Sequence, residues 1–234
     1  MGVVATIGRC LAVAIVVAGS MYWTANDVIL RASTPPAFVL NLRLTTTQTL
    51  PPISAAALIA EANAIWSDAH VQLRWLNAEP DQRDGDGDPP RFLRVVVMAR
   101  VVQPAGQQAP WAVGELVRME GARALAIASV TGARRVIAEA ARLQRPDLQA
   151  VHEQRLGVVL GRAVAHEIGH YLLQTDTHST RGLMRASIGA QEFADLRSGT
   201  FRLDEAAQAH MSALAAHGLR PVDSTSAAFS YATR

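Results

Sequence analysis

The chain has 234 residues, and half of them are hydrophobic, which is enough for one domain with a sizeable core and a short additional segment. The formal net charge is +2 and no basic cluster stands out, so the composition gives no case for nucleic-acid binding, which needs a basic patch or stripe. The single cysteine, Cys10, excludes an intramolecular disulfide framework.

Residues 1–25 have the features of an export signal. Arg9 precedes an apolar run over residues 11–18, which is too short to predict a membrane span but has the length of a signal-peptide core. If the segment were retained, Trp23 would suit the membrane interface. We therefore expect a cleaved signal peptide or a membrane anchor through residues 3–23, and a secreted or periplasmic protein.

Hydrophobic periodicity predicts an α+β domain over residues 37–220, between a linker at 26–36 and a disordered tail at 221–234. Five apolar or alternating stretches predict strands: Ala37–Leu44, Val71–Leu76, Arg91–Arg100, Trp111–Val117 and Ala124–Val130. Three helices are predicted: Ala55–Ala69 with Ser54 as its N-cap, Leu156–Leu173, and Asp204–Ala216. The connection over residues 134–155 is polar, rich in arginine and expected to be partly helical.

The sequence His166-Glu167-Ile168-Gly169-His170 lies in the second predicted helix. Residues four apart share a helix face, so the imidazoles of His166 and His170 can bind one Zn²⁺. Glu167 lies one step round the helix, where it can take a proton from a water at the metal. The neighbouring positions are apolar, and two imidazoles with a carboxylate would be costly to bury there without a partner. The motif therefore predicts a zinc site with Glu167 as the catalytic residue.

Two short segments follow this motif, His178-Ser179 and Gly182-Leu183-Met184. With them, the chain resembles the metzincin zinc peptidases, particularly their matrixin-like catalytic domains, over roughly residues 37–217. The resemblance implies a zincin-like α+β fold, with a twisted mixed sheet and a backing helix above a cleft whose floor is the metal helix. It also implies His178 as third zinc ligand, a methionine turn at Met184 beneath the metal, and a C-terminal helix.

The chain departs from the spacing of that family, which is H-E-x-x-H-x-x-G-x-x-H. Leu173 stands at the glycine position and Asp176 at the third-histidine position, so Asp176, His178 and Glu192 all compete for the third ligand. We choose His178 because a loop of about four residues, each reaching ~3.3 Å, can return it to the metal. Neutral imidazole is also the commonest metal ligand among side chains. Arg162, one turn before the motif, lies near the ligand face, and its role stays open.

These features predict a secreted or membrane-anchored zinc-dependent endopeptidase, a monomeric hydrolase with Zn²⁺ as cofactor and peptides or proteins as substrates. The resemblance further implies that an extended substrate adds to an exposed edge strand at Ala112–Val117. The alternative is a catalytically inactive zinc-binding envelope protein. Structural zinc sites are usually closed by four ligands and rich in cysteine. No cysteine follows the export segment, so the catalytic interpretation is preferred.

Overall fold

The computed structural model describes residues 38–76, 93–99, 113–119, 123–142, 148–197 and 199–216. The strands in these ranges are β1 (Phe38–Thr46), β2 (Val71–Leu76), β3 (Leu93–Met98), β4 (Gly114–Met119) and β5 (Arg123–Ser129). The helices are α1 (Pro52–Ser67), α2 (Val130–Ala141), α3 (Gln149–Leu173), α4 (Ala190–Ala194) and α5 (Glu205–Ala216). No helix in this part of the chain is long and apolar enough to cross a bilayer. The predicted export segment, linker and tail lie outside the described residues.

The five strands form one mixed sheet in the order β2-β1-β3-β5-β4, so the predicted mixed sheet is confirmed. Strands β2, β1, β3 and β5 are parallel, whereas β4 pairs antiparallel with β5 at the edge. Side chains alternate between the two faces of a strand, and the buried apolar positions fall on one face. They are Leu40 and Leu42 in β1, Val71 and Leu73 in β2, Leu93, Val95 and Val97 in β3, and Ala126 and Ala128 in β5.

The two long helices α1 and α3 pack in direct backbone contact, because α3 has glycine at the points of closest approach. A Cβ added at Gly157 would lie 2.3 Å from the Ser54 carbonyl oxygen, and one at Gly161 would lie 2.7 Å from the Leu58 carbonyl oxygen. The prediction that Ser54 caps α1 is wrong. The helix begins at Pro52, and the buried Ser54 hydroxyl donates to the Glu153 carbonyl oxygen of α3 at 2.8 Å.

Replacement of Gly157 by alanine is expected to lower the free energy of unfolding by about 1–3 kcal/mol, the usual cost of overpacking. Helix propensity alone would favour alanine by about 1 kcal/mol, so the sign of the change tests the contact with α1. Urea unfolding followed by circular dichroism measures it. Gly199→Ala is the control, because a Cβ at Gly199 would meet nothing within 4 Å. Unchanged or increased stability in Gly157→Ala would contradict the close packing of α1 on α3.

The helix that carries the motif is longer than predicted. Helix α3 begins at Gln149 rather than at Leu156. The connection over residues 134–155 is partly helical, as predicted, because α2 occupies its start and α3 its end. Strand β5 ends at Ser129, which is also the N-cap of α2. Its hydroxyl oxygen accepts a hydrogen bond from the Gly132 N–H at 3.0 Å. Strand β5 therefore runs directly into α2.

Candidate metal centre

Three histidines come together at the C-terminal end of α3. His166 and His170 lie on the helix and His178 on the loop that follows, and their possible ligand atoms all lie within 4.8 Å of one another. The Nε2 atoms of His166 and His170 are 3.0 Å apart. Two atoms that each bind one ion at about 2.1 Å can be at most about 4.2 Å apart, so the helical pair fits a shared ion. With His178 within 4.8 Å of this pair, the three histidines form a group that could hold a metal ion.

A main-chain carbonyl orients each of the two helical histidines. The Nδ1 atom of His166 lies 2.8 Å from the Leu183 carbonyl oxygen, and that of His170 lies 2.7 Å from the Thr175 carbonyl oxygen. A carbonyl only accepts, so both Nδ1 atoms donate and both Nε2 atoms carry a lone pair. Lone pairs on two nitrogens 3.0 Å apart repel each other unless a cation binds both. The arrangement has the chemistry of a cation site.

Burial keeps this pair of imidazoles neutral. It lowers the pKa of His166 to about 4, a change that the hydrogen bond to Leu183 opposes and the neighbouring histidines reinforce. Burial also lowers the pKa of His170, although the hydrogen bond to Thr175 raises it again in part. Neutral imidazole is the form that binds metals. At neutral pH the two helical nitrogens can therefore bind a metal without first losing a proton.

The chain leaves α3 at Gln174, whose φ of 50° lies in the left-handed region that favours glycine. The side-chain amide of Gln174 donates to the Tyr171 carbonyl oxygen at 2.5 Å. Leu173 stands where the resembling family has glycine, and the left-handed turn off the helix is made one residue later, by Gln174. With the helix ending at this point, the loop brings His178 rather than Asp176 to the other two histidines.

Asp176 occupies the family's third-ligand position but is engaged elsewhere. Its carboxylate pairs with the guanidinium of Arg118, on the edge strand β4. The same guanidinium donates through Nη2 to the His170 carbonyl oxygen at 3.0 Å. Arg118 therefore links the edge strand both to the end of the motif helix and to the loop that carries His178.

The other alternative ligand, Glu192, lies in α4 and also has its own partners. Arg185 donates to its two carboxylate oxygens at 2.5 and 3.1 Å, and the Thr200 hydroxyl donates to it at 2.7 Å. The hydrogen bond from Arg185 holds the pKa of Glu192 below its usual value. Among the three competing residues, His178 is the one that groups with His166 and His170, and their assignment as metal ligands stays a prediction.

The segment predicted to form a methionine turn packs against α3. Gly182 has a φ of 68°, and a Cβ there would lie 2.3 Å from the Arg202 carbonyl oxygen, so only glycine fits. Met184 is buried, and its sulfur would lie 2.3 Å from a Cβ added at Gly169, inside the motif. Because the Leu183 carbonyl also accepts from His166, this short segment both supports the helix and orients a histidine.

Glu167 lies beneath the edge strand β4 and is only 6% exposed. A Cβ added at Gly114 would lie 2.6 Å from its Oε1 atom, so β4 can approach the carboxyl because residue 114 is glycine. Burial raises the pKa of Glu167 to about 8, the charge of Glu115 adds to this rise, and a hydrogen bond from the Leu116 N–H opposes it. A cation nearby would favour the carboxylate form of this group.

The histidines and Glu167 share one cleft of about 740 Å³. Residues 113–116 of β4 line one side, and residues 185–188, which follow Met184, line another. The other apolar residues of the lining include Val136, Ala163, Leu183, Ile188, Phe193 and Phe201. The cleft therefore combines a possible metal centre, an acid–base group and space for an apolar ligand.

Arg162, whose role the sequence left open, is a buried structural residue with 1% exposure. Its Nε donates to Glu61 of α1 at 2.7 Å. Its Nη1 donates to the carbonyl oxygens of Glu192 and Phe193 at 3.1 and 2.9 Å. The guanidinium also lies 4.2 Å from the centre of the Phe201 ring. Arg162 therefore ties the motif helix to α1 and α4 and is not solvated.

Sequence reasoning did not identify Gly114 or Arg118 as parts of this site. A glycine inside a strand can mark a close backbone approach, and Gly114 carries that signal. Arg118 carried no signal, because its contacts with Asp176 and with the His170 carbonyl depend on how β4 lies across the end of α3.

No model of a protein family and no curated protein matches this chain. Among solved structures, the crystal structure of archaemetzincin from Methanopyrus kandleri is similar to it, with a TM-score of 0.46 and 14% sequence identity. The match covers 80% of this chain and 98% of that chain. A similarity of this size does not assign the chain to a family.

Proposed function

We propose that this protein is a metzincin-like zinc endopeptidase, secreted or anchored in a membrane, that acts as a monomer on peptides or proteins. His166, His170 and His178 are the proposed zinc ligands, and Glu167 is the proposed general base. The observation that carries the proposal is the grouping of three imidazoles in one open cleft with a buried carboxyl. Export itself rests on the apolar segment near the N-terminus.

The donor set fits zinc. Three neutral imidazoles are a common ligand set of catalytic zinc sites, which keep a fourth position open. Zn²⁺ bound here would polarise the scissile carbonyl and make the attacking water more acidic. Glu167 would accept a proton from that water at its carboxylate and pass it to the leaving amine. Because residue 114 is glycine, β4 lies directly over this carboxyl.

The edge position of β4 supports an endopeptidase. Within the described ranges the strand pairs on one side only, with β5, and residues 113–116 line the cleft. An extended peptide could add to the free side by main-chain hydrogen bonds. A substrate bound in this way would lie across the cleft with chain continuing in both directions, which suits cleavage of internal peptide bonds.

The test is zinc content and proteolysis of the purified full-length protein. We expect about one zinc per chain, as a mononuclear site requires. We also expect cleavage of an unfolded protein substrate, which a chelator abolishes and added zinc restores. His166→Ala is the matched control and should lose both properties. Stoichiometric zinc without cleavage of any substrate in a broad peptide library would favour the inactive zinc-binding alternative. The absence of bound zinc would contradict both functions.

A further inference from the structure

One carboxylate in the wall of the cleft stands apart from the other charged side chains there. Glu115 of β4 is partly buried and lines the cleft. Its carboxylate has no hydrogen-bond or ion-pair partner within the described ranges of the chain. Three other charged residues of the lining have partners: Arg162 pairs with Glu61, Arg185 with Glu192, and Asp176 with Arg118.

The position of Glu115 determines which groups in the cleft its charge can reach. It lies on the edge strand, directly after Gly114, whose backbone approaches the Glu167 carboxyl. The Glu115 side chain lies on the opposite face of β4 from the Gly114 position that meets Glu167. A partly buried carboxylate without a partner attracts a cationic group.

We propose that Glu115 selects substrates with a lysine or arginine side chain, which it binds from the edge strand of the cleft. The inference rests on the proposed peptidase function. Side chains of an added strand lie beside those of its neighbour on the same face, with Cβ atoms about 4.5–5.5 Å apart for directly opposed residues. A substrate residue opposite Glu115 can therefore bring an ammonium or guanidinium group to the carboxylate.

The experiment uses quenched fluorescent peptides that differ at one position, with lysine, glutamine or glutamate, scanned through the positions on both sides of the cleaved bond. For the zinc-loaded full-length protein, we expect kcat/KM to favour lysine at one position by about two- to fivefold, the effect of an opposed charge pair. Glu115→Gln should reduce this ratio to about 1, and Glu115→Arg should favour glutamate over lysine at the same position. A ratio between two peptides cancels any common effect of the substitution on Glu167 or on zinc.

A binding measurement provides a second readout. In the Glu167→Gln background, fluorescence anisotropy should give tighter binding of the lysine peptide than of the glutamine peptide, and Glu115→Gln should remove the difference. Glu205→Gln is the matched control, because Glu205 is an exposed residue in the first turn of α5. Both ratios should stay unchanged in that variant.

Two results would overturn the inference while leaving the peptidase function intact. One is cleavage without a preference for lysine at any scanned position, and the other is a lysine preference that persists in Glu115→Gln. Zinc-loaded protein that neither cleaves nor binds any of the peptides would overturn the proposed function, and this inference with it.

Discussion

Glu167→Gln is expected to lower kcat/KM by about 100-fold or more, the usual scale for loss of a general base. Glutamine has nearly the same shape as glutamate but cannot accept the proton of the attacking water. The fold should tolerate the change, because burial already raises the pKa of Glu167 to about 8, so that the neutral form fits the site. Peptide hydrolysis, zinc content and circular dichroism are measured on the same preparations.

The control for that variant is Glu205→Gln, a similar change on the exposed face of α5 that should leave hydrolysis unchanged. If Glu167→Gln retained full activity with zinc bound, Glu167 could not be the general base. If the variant lost zinc, the carboxyl would have to contribute to the metal centre itself rather than to proton transfer.

Arg162→Met is expected to lower the free energy of unfolding by about 3–5 kcal/mol, the usual effect of removing one partner of a buried ion pair. The substitution would leave the Glu61 carboxylate without its partner at 2.7 Å. It would also remove the donor to the carbonyl oxygens of Glu192 and Phe193. Denaturant unfolding of the metal-free protein measures the loss without interference from zinc binding.

A double variant separates the charge from the packing of this side chain. Arg162→Met combined with Glu61→Gln should recover part of the lost stability, because it leaves no unpaired carboxylate beside α3. A loss below about 1 kcal/mol in Arg162→Met would contradict a structural role for the network, since breaking a buried pair normally costs more.

The strands of the sheet were predictable because each needs only a local pattern of alternating or continuous apolar residues. The edge strand shows the limit of prediction from such a local pattern. It was predicted at Trp111–Val117, whereas β4 spans Gly114–Met119, because pairing with β5 sets its register. The role of Ser54 was mistaken for a related reason. A serine near the start of a helix suggests a cap, but its acceptor is a carbonyl of α3, which sequence does not reveal.

The residues of the candidate site also fall into those that a local pattern predicts and those that depend on the three-dimensional structure. His166 and His170 could be predicted because two histidines four residues apart on a helix must share a face. His178 needed a decision about a loop, and the left-handed conformation of Gln174, which shapes that loop, has no signal in the sequence. The approach of Gly114 to Glu167 depends on how the sheet lies across α3, so it appears only in three dimensions.

Zinc affinity of three variants tests the proposed metal centre most directly. Titration against a competing chelator should give about one tight site in the wild type. His178→Ala should weaken binding by more than about 100-fold, because a ligand is lost, whereas Asp176→Asn should weaken it by about tenfold, the low end of the effect of residues outside the ligand set. His210→Ala, on the exposed face of α5, should bind as the wild type does. Zinc retained by His178→Ala and lost by Asp176→Asn would contradict the three-histidine site.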